Sequence, residues 1–561
     1  MLVSRNLLAL QAFLMILLAD PIMGKTLYVD ANARGADRGT SWIDAYRYLQ
    51  DALADANSAD KPVEVRVAQG VYRADQGMRH TPGDREATFR LINGIILKGG
   101  FAGQGQPDPD HRDGAMHETI LSGDLKGDDR PFSPWGVSGD LLAVLEWEDH
   151  ARDNSYHVVT AHSIDGPAVL DGFTICRGND DRRTGAGRDV VKWLGHGGGM
   201  LVSGGVNVRN SIFAHNFAGT GGALYGEAAN LVVENCVFWR NCSRRGGGAY
   251  VKGSEAAFIT SVFSANYLNT LISSTPNNAP GLACDTSQVS MTRCRFMGNW
   301  SVGLGGGIAN LNQSHMVVSD SLFAGNKANY GAGIYNQDST LSVTNCTFHG
   351  NTQYGIVCRS EHSRSMVDVA NCIFALWDLI ENRVGSVIQI KYSGMEGGKA
   401  QVRDLDPNGG VTWGQGNIEA DPCFAAPGYW DDPCNTPTTY WDDRWIDGDY
   451  HLKSQAGRWD PKSQSWVKDD VTSPCIDTGD PASPIGCEPF PNGGRINMGA
   501  YGGTVEASKS YFSEPICKTI ITGDINGDCR VDFMDLMLMA SHWLKDAHAA
   551  PAPPPPTLPK R

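Results

Sequence analysis

None of the fourteen cysteines stands in a C-x-x-C spacing, so a zinc site lacks its usual thiolate pair. Basic residues are also short: 47 Lys and Arg against 62 Asp and Glu leave a net charge of −15. Nucleic acid needs cationic surface to displace its counterions and is excluded as a partner. A polyanionic glycan would be repelled unless calcium bridged it, and neutral glycans stay open. Long apolar runs are missing as well. The run Leu7 to Ala19 follows Arg5 and precedes Pro21-Ile22-Met23-Gly24, the pattern of a secretory signal over residues 1–24 rather than a membrane span. No other stretch approaches the ~18 apolar residues of a membrane helix. The mature protein is expected to be exported, and soluble or attached at a cell surface.

What the chain does have is repetition. One phrase returns seven times: N-S-I-F-A-H-N from Asn210, N-C-V-F-W-R-N from Asn235, T-S-V-F-S-A-N from Thr260, R-C-R-F-M-G-N from Arg293, D-S-L-F-A-G-N from Asp320, N-C-T-F-H-G-N from Asn345 and N-C-I-F-A-L-W from Asn371. The steps are 25, 25, 33, 27, 25 and 26 residues. Short β-like runs such as Leu231-Val232-Val233 fill each period, and no helical apolar period reaches ten residues, which rules out helical solenoids. A coil of about 25 residues with three short strands buries its apolar face only on the coils above and below. The expected fold is all-β, a right-handed parallel β-helix.

In-register stacking predicts one column of Phe213, Phe238, Phe263, Phe296, Phe323, Phe348 and Phe374, with neighbours roughly 4.8 Å apart. Two residues earlier, Ser211, Cys236, Ser261, Cys294, Ser321, Cys346 and Cys372 share that face as small core residues, the cysteines as free thiols. Three residues later, Asn216, Asn241, Asn266, Asn299, Asn326 and Asn351 predict an amide ladder that satisfies buried turns. Glycine clusters such as Gly221-Gly222 and Gly246-Gly247-Gly248 mark a turn with positive φ in every coil.

The paired motifs F-x-x-N and G-G-[A/I/L], here Phe238 to Asn241 with Gly221-Gly222-Ala223-Leu224 and Gly306-Gly307-Ile308, resemble the repeats of bacterial polymorphic outer-membrane proteins. More widely, the chain is similar to secreted parallel β-helix proteins with the pectin-lyase-like fold. That fold hosts lyases, hydrolases, adhesins and passengers, so the resemblance implies architecture and leaves activity open.

Trp42 to Asn57 has apolar residues at helical spacing and is expected to cap the open end of the first coil. Residues 177–195 and the following histidine gather Asp180, Asp181, Arg183, Arg188, Lys192 and His196, the densest mixture of acids, bases and histidine on the array. They are the candidate catalytic set, with a solvated surface loop as the alternative. Asp421 to Trp466 crowds Trp430, Tyr440, Trp441, Trp445, Tyr450, Trp459 and Trp466 among acids, which suits either a sugar-stacking surface or packing as a terminal cap. Cys423, Cys434, Cys475 and Cys487 lie in the loop-rich end and are the better disulfide candidates. Asn492 to Gly503 looks like the closing coil.

The sharpest chemical motif is Gly523 to Asp535. Asp524, Asn526, Asp528, Asp532 and Asp535 supply oxygens at loop positions 1, 3, 5, 9 and 12, and Arg530 offers its carbonyl at position 7. That spacing wraps a loop around Ca2+. It resembles a type I dockerin repeat, which implies a cohesin-like partner; one loop stands where a dockerin has two, and Cys529 stands at the usual glycine. Cys517 is placed to close a disulfide onto Cys529. The expected organisation is a signal at 1–24, a β-helix at 25–505, a linker at 506–517, a calcium module at 518–545 and a Pro-rich tail at 546–561. Two functions follow: an exported module that binds polysaccharide, a cell-surface glycan or a partner, or a polysaccharide lyase or O-glycosyl hydrolase, which needs a base with a cation or two carboxylic acids ~5–9 Å apart.

Overall fold

The computed structural model describes residues 24–129, 151–184, 192–193, 195–268, 278–376, 378–431 and 444–511, with isolated positions 531, 533, 536 and 537. Residues 1–23 of the signal segment and all six calcium-loop residues lie outside them.

One coil illustrates the rest. Its strands are Leu224–Glu227, Asn230–Glu234 and Val237–Trp239, followed by the two-residue strand Cys242–Ser243. Each pairs in parallel with the matching strand one coil on, for example Leu231 with Ala256 and Phe238 with Phe263. The first three form faces running the length of the stack, the third face alone having eleven strands. At ~4.8 Å per step that face is roughly 48 Å long. The fourth is a local ladder of four strands, an addition to the three-strand expectation.

The bends have a local cause. The first residue of every phrase, Asn210 through Asn371, has φ between 48° and 56°. Asn and Asp tolerate this left-handed region better than other side-chain-bearing residues, and five of the seven positions carry one of them. Inside, the phenylalanine column is a stack of near-parallel rings, with centroids 4.5 to 5.0 Å apart from Phe213 to Phe374. All seven are essentially sealed from water. The small column is equally buried, and its cysteines are free. Burial pushes the Cys236 and Cys294 thiols up to about 12, so they behave as core atoms rather than nucleophiles.

The amide ladder forms as the spacing predicts. From Asn216 to Asn326 each Nδ2 donates to the Oδ1 of the next Asn, as in Asn241 to Asn266 at 3.1 Å, and to a carbonyl of the coil before, that of Ile175 for Asn216 and of a phenylalanine for the others, as in Asn241 to Phe213 at 2.9 Å. It runs one coil beyond the expected end: Asn351 Nδ2 donates to Asp378 Oδ1 at 2.9 Å. The last member only has to accept, and an acid brings no amide donor to be orphaned there. A second ladder, Ser254, Ser287, Ser314 and Ser339, takes main-chain N–H groups at the bend between the first two faces.

Three features depart from the sequence expectation. The capping helix is shorter, Leu49–Ser58, burying Leu49, Ala52, Leu53 and Ala56 over the first coil. Residues ahead of it are drawn into pairing with the first strand: Tyr46 N–H donates to the Tyr28 carbonyl at 2.9 Å, and the Trp42 ring packs on Tyr28. The coils end at Val411–Trp413, and the residues beyond form antiparallel hairpins, such as Tyr429–Asp431 with Arg444–Ile446. The segment expected to close the stack, 492–503, contains no strand. It lies against the outside of the third face, with Gly499 N–H on the Asn371 carbonyl and Ala500 N–H on Thr347 Oγ1, and so covers the side of the stack rather than adding a rung to it.

Among the described residues no helix is long and apolar enough to cross a membrane.

Candidate functional site

The charged segment at 177–196 is built around Asp180, whose carboxylate is fully buried. Arg182 grips it with both arms, Nε to Oδ1 at 2.7 Å and Nη2 to Oδ2 at 2.6 Å. The main-chain N–H of His196 adds a third bond at 2.8 Å. Asp181 is held by Arg85 at 2.8 Å, and the same guanidinium binds the carbonyls of Asn154 and Asn179. The Tyr156 ring lies under both arginines. The fold thus brings Asp180 and His196 together with Arg182 of the same charged segment, and it adds Arg85 and His157, whose contribution no local spacing reveals: Arg85 is 96 residues from its partner.

His157 donates from Nδ1 to the Gly197 carbonyl at 3.1 Å, which leaves Nε2 to accept from Arg182 at 2.9 Å. Burial, and less so the neighbouring guanidinium, keeps its pKa below the usual histidine value although Asp180 pulls the other way. His196 is also lowered, chiefly by burial, and stacks on Tyr225 at 4.5 Å. Arg183 and Lys192 sit on two facing strands, Arg183 opposite Trp193 and Lys192 opposite Thr184; Arg188 lies outside the described residues. An acid whose two oxygens are engaged by a forked guanidinium is poorly placed to exchange protons with a substrate.

The aromatic segment divides. Trp445 lies across the third face over Gly298, Gly325 and Gly350, and a methyl added at Gly325 would overlap its indole. These three glycines occupy the sixth phrase position, where earlier coils carry His215, Arg240 and Ala265. That change of residue is the sequence signal for the docked cap. Trp430 donates to the Gly350 carbonyl at 3.2 Å, and His349 packs among Phe424, Trp445 and Tyr450. Arg295 closes the contact on Asp447 at 2.7 Å. Trp459 and Trp466 meet edge to face on an outer hairpin, with Trp466 partly exposed; Tyr440 and Trp441 lie outside the described residues. Cys423, Cys475 and Cys487 are free thiols in this cap, and Cys434 is outside the described residues.

Another surface emerges only from the register. On the second face, Gln288, His315 and Thr340 align, as do Ser290, Val317 and Ser342, and Thr292, Ser319 and Thr344. Their strands alternate, with Val289, Met291, Met316, Val318, Leu341 and Val343 pointing into the core. The nine outward positions form a flat grid with no Asp, Glu, Lys or Arg on a chain of net charge −15. Ser319 and Thr292 hydroxyls bond across two rungs at 3.2 Å.

One apparent metal cluster is already satisfied. Asp338, Glu361 and His362 converge, but Asp338 Oδ1 accepts the N–H groups of Glu361, His362 and Ser363. Burial would raise this acid; the N–H bonds outweigh it and hold the pKa at about 2.

Residues 243–377 match the family described as "Right handed beta helix region", and residues 431–479 match "Disaggregatase related". A curated relative, metabotropic glutamate receptor-like protein Q of Dictyostelium discoideum, is 29% identical over 187 residues, or 32% of this chain. The chain spans 15% of that relative's length. Among solved structures, a pectate lyase aligns at TM-score 0.42 and 12% identity, covering 85% of this chain and 96% of its own. A rhamnogalacturonan lyase aligns at 0.32 and 12%, covering 72% and 91%, and a surface adhesin of Streptococcus pneumoniae at 0.27 and 11%, covering 71% and 95%. The first family match falls on the stacked coils themselves, and the fold is a right-handed parallel β-helix.

Proposed function

We propose that this protein is an exported binding module that holds a neutral polysaccharide or cell-surface glycan along its second face, and attaches elsewhere through its C-terminal calcium loop. The observation that carries the reading is the uncharged grid from Gln288 to Thr344. Its hydroxyl column Thr292, Ser319 and Thr344 repeats at the rung spacing of ~4.8 Å, comparable to one hexose unit, beside further hydroxyls at Ser290, Thr340 and Ser342. A neutral ligand meets no long-range repulsion from an acidic protein. Calcium at Asp524, Asn526, Asp528, Arg530, Asp532 and Asp535, and a cohesin-like partner for that loop, belong to the same reading.

The engagement of Asp180 by Arg182 and His196 favours binding over turnover. A glycan array followed by affinity electrophoresis tests it. Ser290→Arg and Ser342→Arg, which place a bulky cation on the grid, should weaken binding at least tenfold, whereas Asp180→Asn should retain it. Unchanged binding in both arginine variants would remove the grid from the reading. Depolymerisation of any glycan by the wild type, lost in Asp180→Asn, would replace it with the lyase or hydrolase.

A further inference from the structure

A separate cluster lies where residues 124–129 meet 151–155. Asp124, Asp128 and Asp129 each bring a carboxylate oxygen to within 4.8 Å of the others. Two oxygens bound to one Ca2+ at ~2.4 Å can be at most ~4.8 Å apart, so the three fit a single coordination shell. Asp124 is fixed by its own loop, accepting N–H groups of Gly127 and Asp128 on Oδ1 and of Asp129 on Oδ2. Those bonds orient the carboxylate and leave lone pairs free.

The second observation comes from outside the acids. Asn154 is 99% buried, its exposure being 1%. Its Nδ2 donates to Asp129 Oδ2 at 2.9 Å, so the amide lies against the cluster, yet its Oδ1 has no donor. Turning the amide over would set that oxygen against the carboxylate, which only a cation between them makes tolerable. Four more buried oxygens of these stretches and of Asn179 lack a hydrogen-bond partner: Asp129 Oδ1, Asp153 Oδ2, Asn179 Oδ1 and the Ser155 hydroxyl. Three of the four are acceptors only, so what they lack is a donor or a cation. Among the described residues, Arg177 lies 3.1 Å from Asp129 Oδ2, Lys126 lies 3.6 Å from Asp153 Oδ2, and Arg73 binds the Asp124 main-chain carbonyl. Among the described residues, one buried oxygen each of Asp129 and Asp153 still has no hydrogen-bond donor, and a buried carboxylate left short of partners is costly.

We propose that a divalent cation of the calcium type binds between Asp124, Asp128, Asp129 and the Asn154 carbonyl oxygen, joining chain stretches 124–129 and 151–155. The site is distinct from the C-terminal loop and independent of the glycan reading. It also braces the Asp180 cluster, because the Asn154 main-chain carbonyl receives Arg85, which in turn holds Asp181.

Calorimetric titration of the full chain with Ca2+ alone tests this. The C-terminal loop is first disabled by Asp524→Ala with Asp528→Ala. That chain should bind one Ca2+. Asp128→Asn, at an exposed position where folding is not at stake, and Asp129→Asn should each weaken the binding at least tenfold. A disabled chain that takes up no Ca2+, or binding that survives both substitutions unchanged, overturns the proposal.

Discussion

Removing one amide from the ladder exposes how the stack is held. In Asn266→Ala, four hydrogen bonds vanish: from Asn241 N and Asn241 Nδ2 to Asn266 Oδ1, and from Asn266 Nδ2 to the Phe238 carbonyl and to Asn299 Oδ1. Two of the four partners keep another bond, since Asn241 Nδ2 still donates to the Phe213 carbonyl and Asn299 Oδ1 still accepts from Asn266 N. The Asn241 N–H and the Phe238 carbonyl lose these bonds at a position with no solvent access. At ~1–3 kcal/mol for each buried group left unsatisfied, the cost is about 2–6 kcal/mol. Against a domain stability of ~5–15 kcal/mol, that is a large share. Gln288→Ala, exposed on the same stack, should stay within ~0.5 kcal/mol of wild type. Urea unfolding followed by tryptophan fluorescence gives the midpoints, and hydrogen exchange reports the Asn241 amide. A stack whose coils melt separately broadens the transition, which makes the amide the sharper observable. If Asn266→Ala unfolds with the wild type and the Asn241 amide exchanges no faster, the ladder is ornamental and the stabilisation argument fails.

Two further outcomes follow from the cap. Gly325 and Gly253 have nearly equal φ, 58° and 54°, but an added methyl meets Trp445 at Gly325 and open space at Gly253. Gly253→Ala should therefore cost only the backbone strain of ~1 kcal/mol, while Gly325→Ala should in addition loosen the cap and speed its proteolysis; equal behaviour would mean Trp445 does not dock there. His451 is buried, which lowers its pKa, but Asp449 at 2.6 Å and Glu506 at 3.3 Å outweigh this and raise it above 6.5. Its contribution is thus complete below pH 6.5 and is lost as pH rises through the folded value. Asp449, lowered chiefly by its bond to His451 against burial, with Arg458 adding to the effect, holds its share above pH 3.8 and loses it as pH falls through its own folded value. Cap stability should decline on the alkaline side of pH 6.5 in wild type, measured by thermal melts across pH, and His451→Gln should flatten that limb; an identical limb in the variant would assign it to other groups.

Much of this was legible in the chain because a solenoid writes its contacts at a constant spacing. Phe238 meets Phe263 for the same reason that 25 residues separate them, so column, ladder and bend could be read by counting. Counting failed where the period did. The Trp377 position interrupts the phrase, and Asp378, one residue late, takes the ladder's next rung. The Asp421 to Trp466 segment left packing and sugar stacking equally open, because composition does not say which face an indole covers. The glycines that receive Trp445 are visible at the sixth phrase position, yet only coordinates connect them to a tryptophan 95 or more residues away.

Sequence alone determined the repeat, its right-handed parallel stacking and the identity of the inward side chains, since each rung repeats the environment of the one before. Tertiary structure decided where charge and polarity converge. Arg85 reaches Asp181, Asn154 reaches Asp129, and His451 lies between Asp449 and Glu506 through folds of chain that no periodicity encodes. The uncharged grid also needed the register, because its nine residues are scattered over 57 positions and become neighbours only when three coils align. Nearest-rung contacts propagate a local rule; contacts between loops and caps depend on the whole path of the chain.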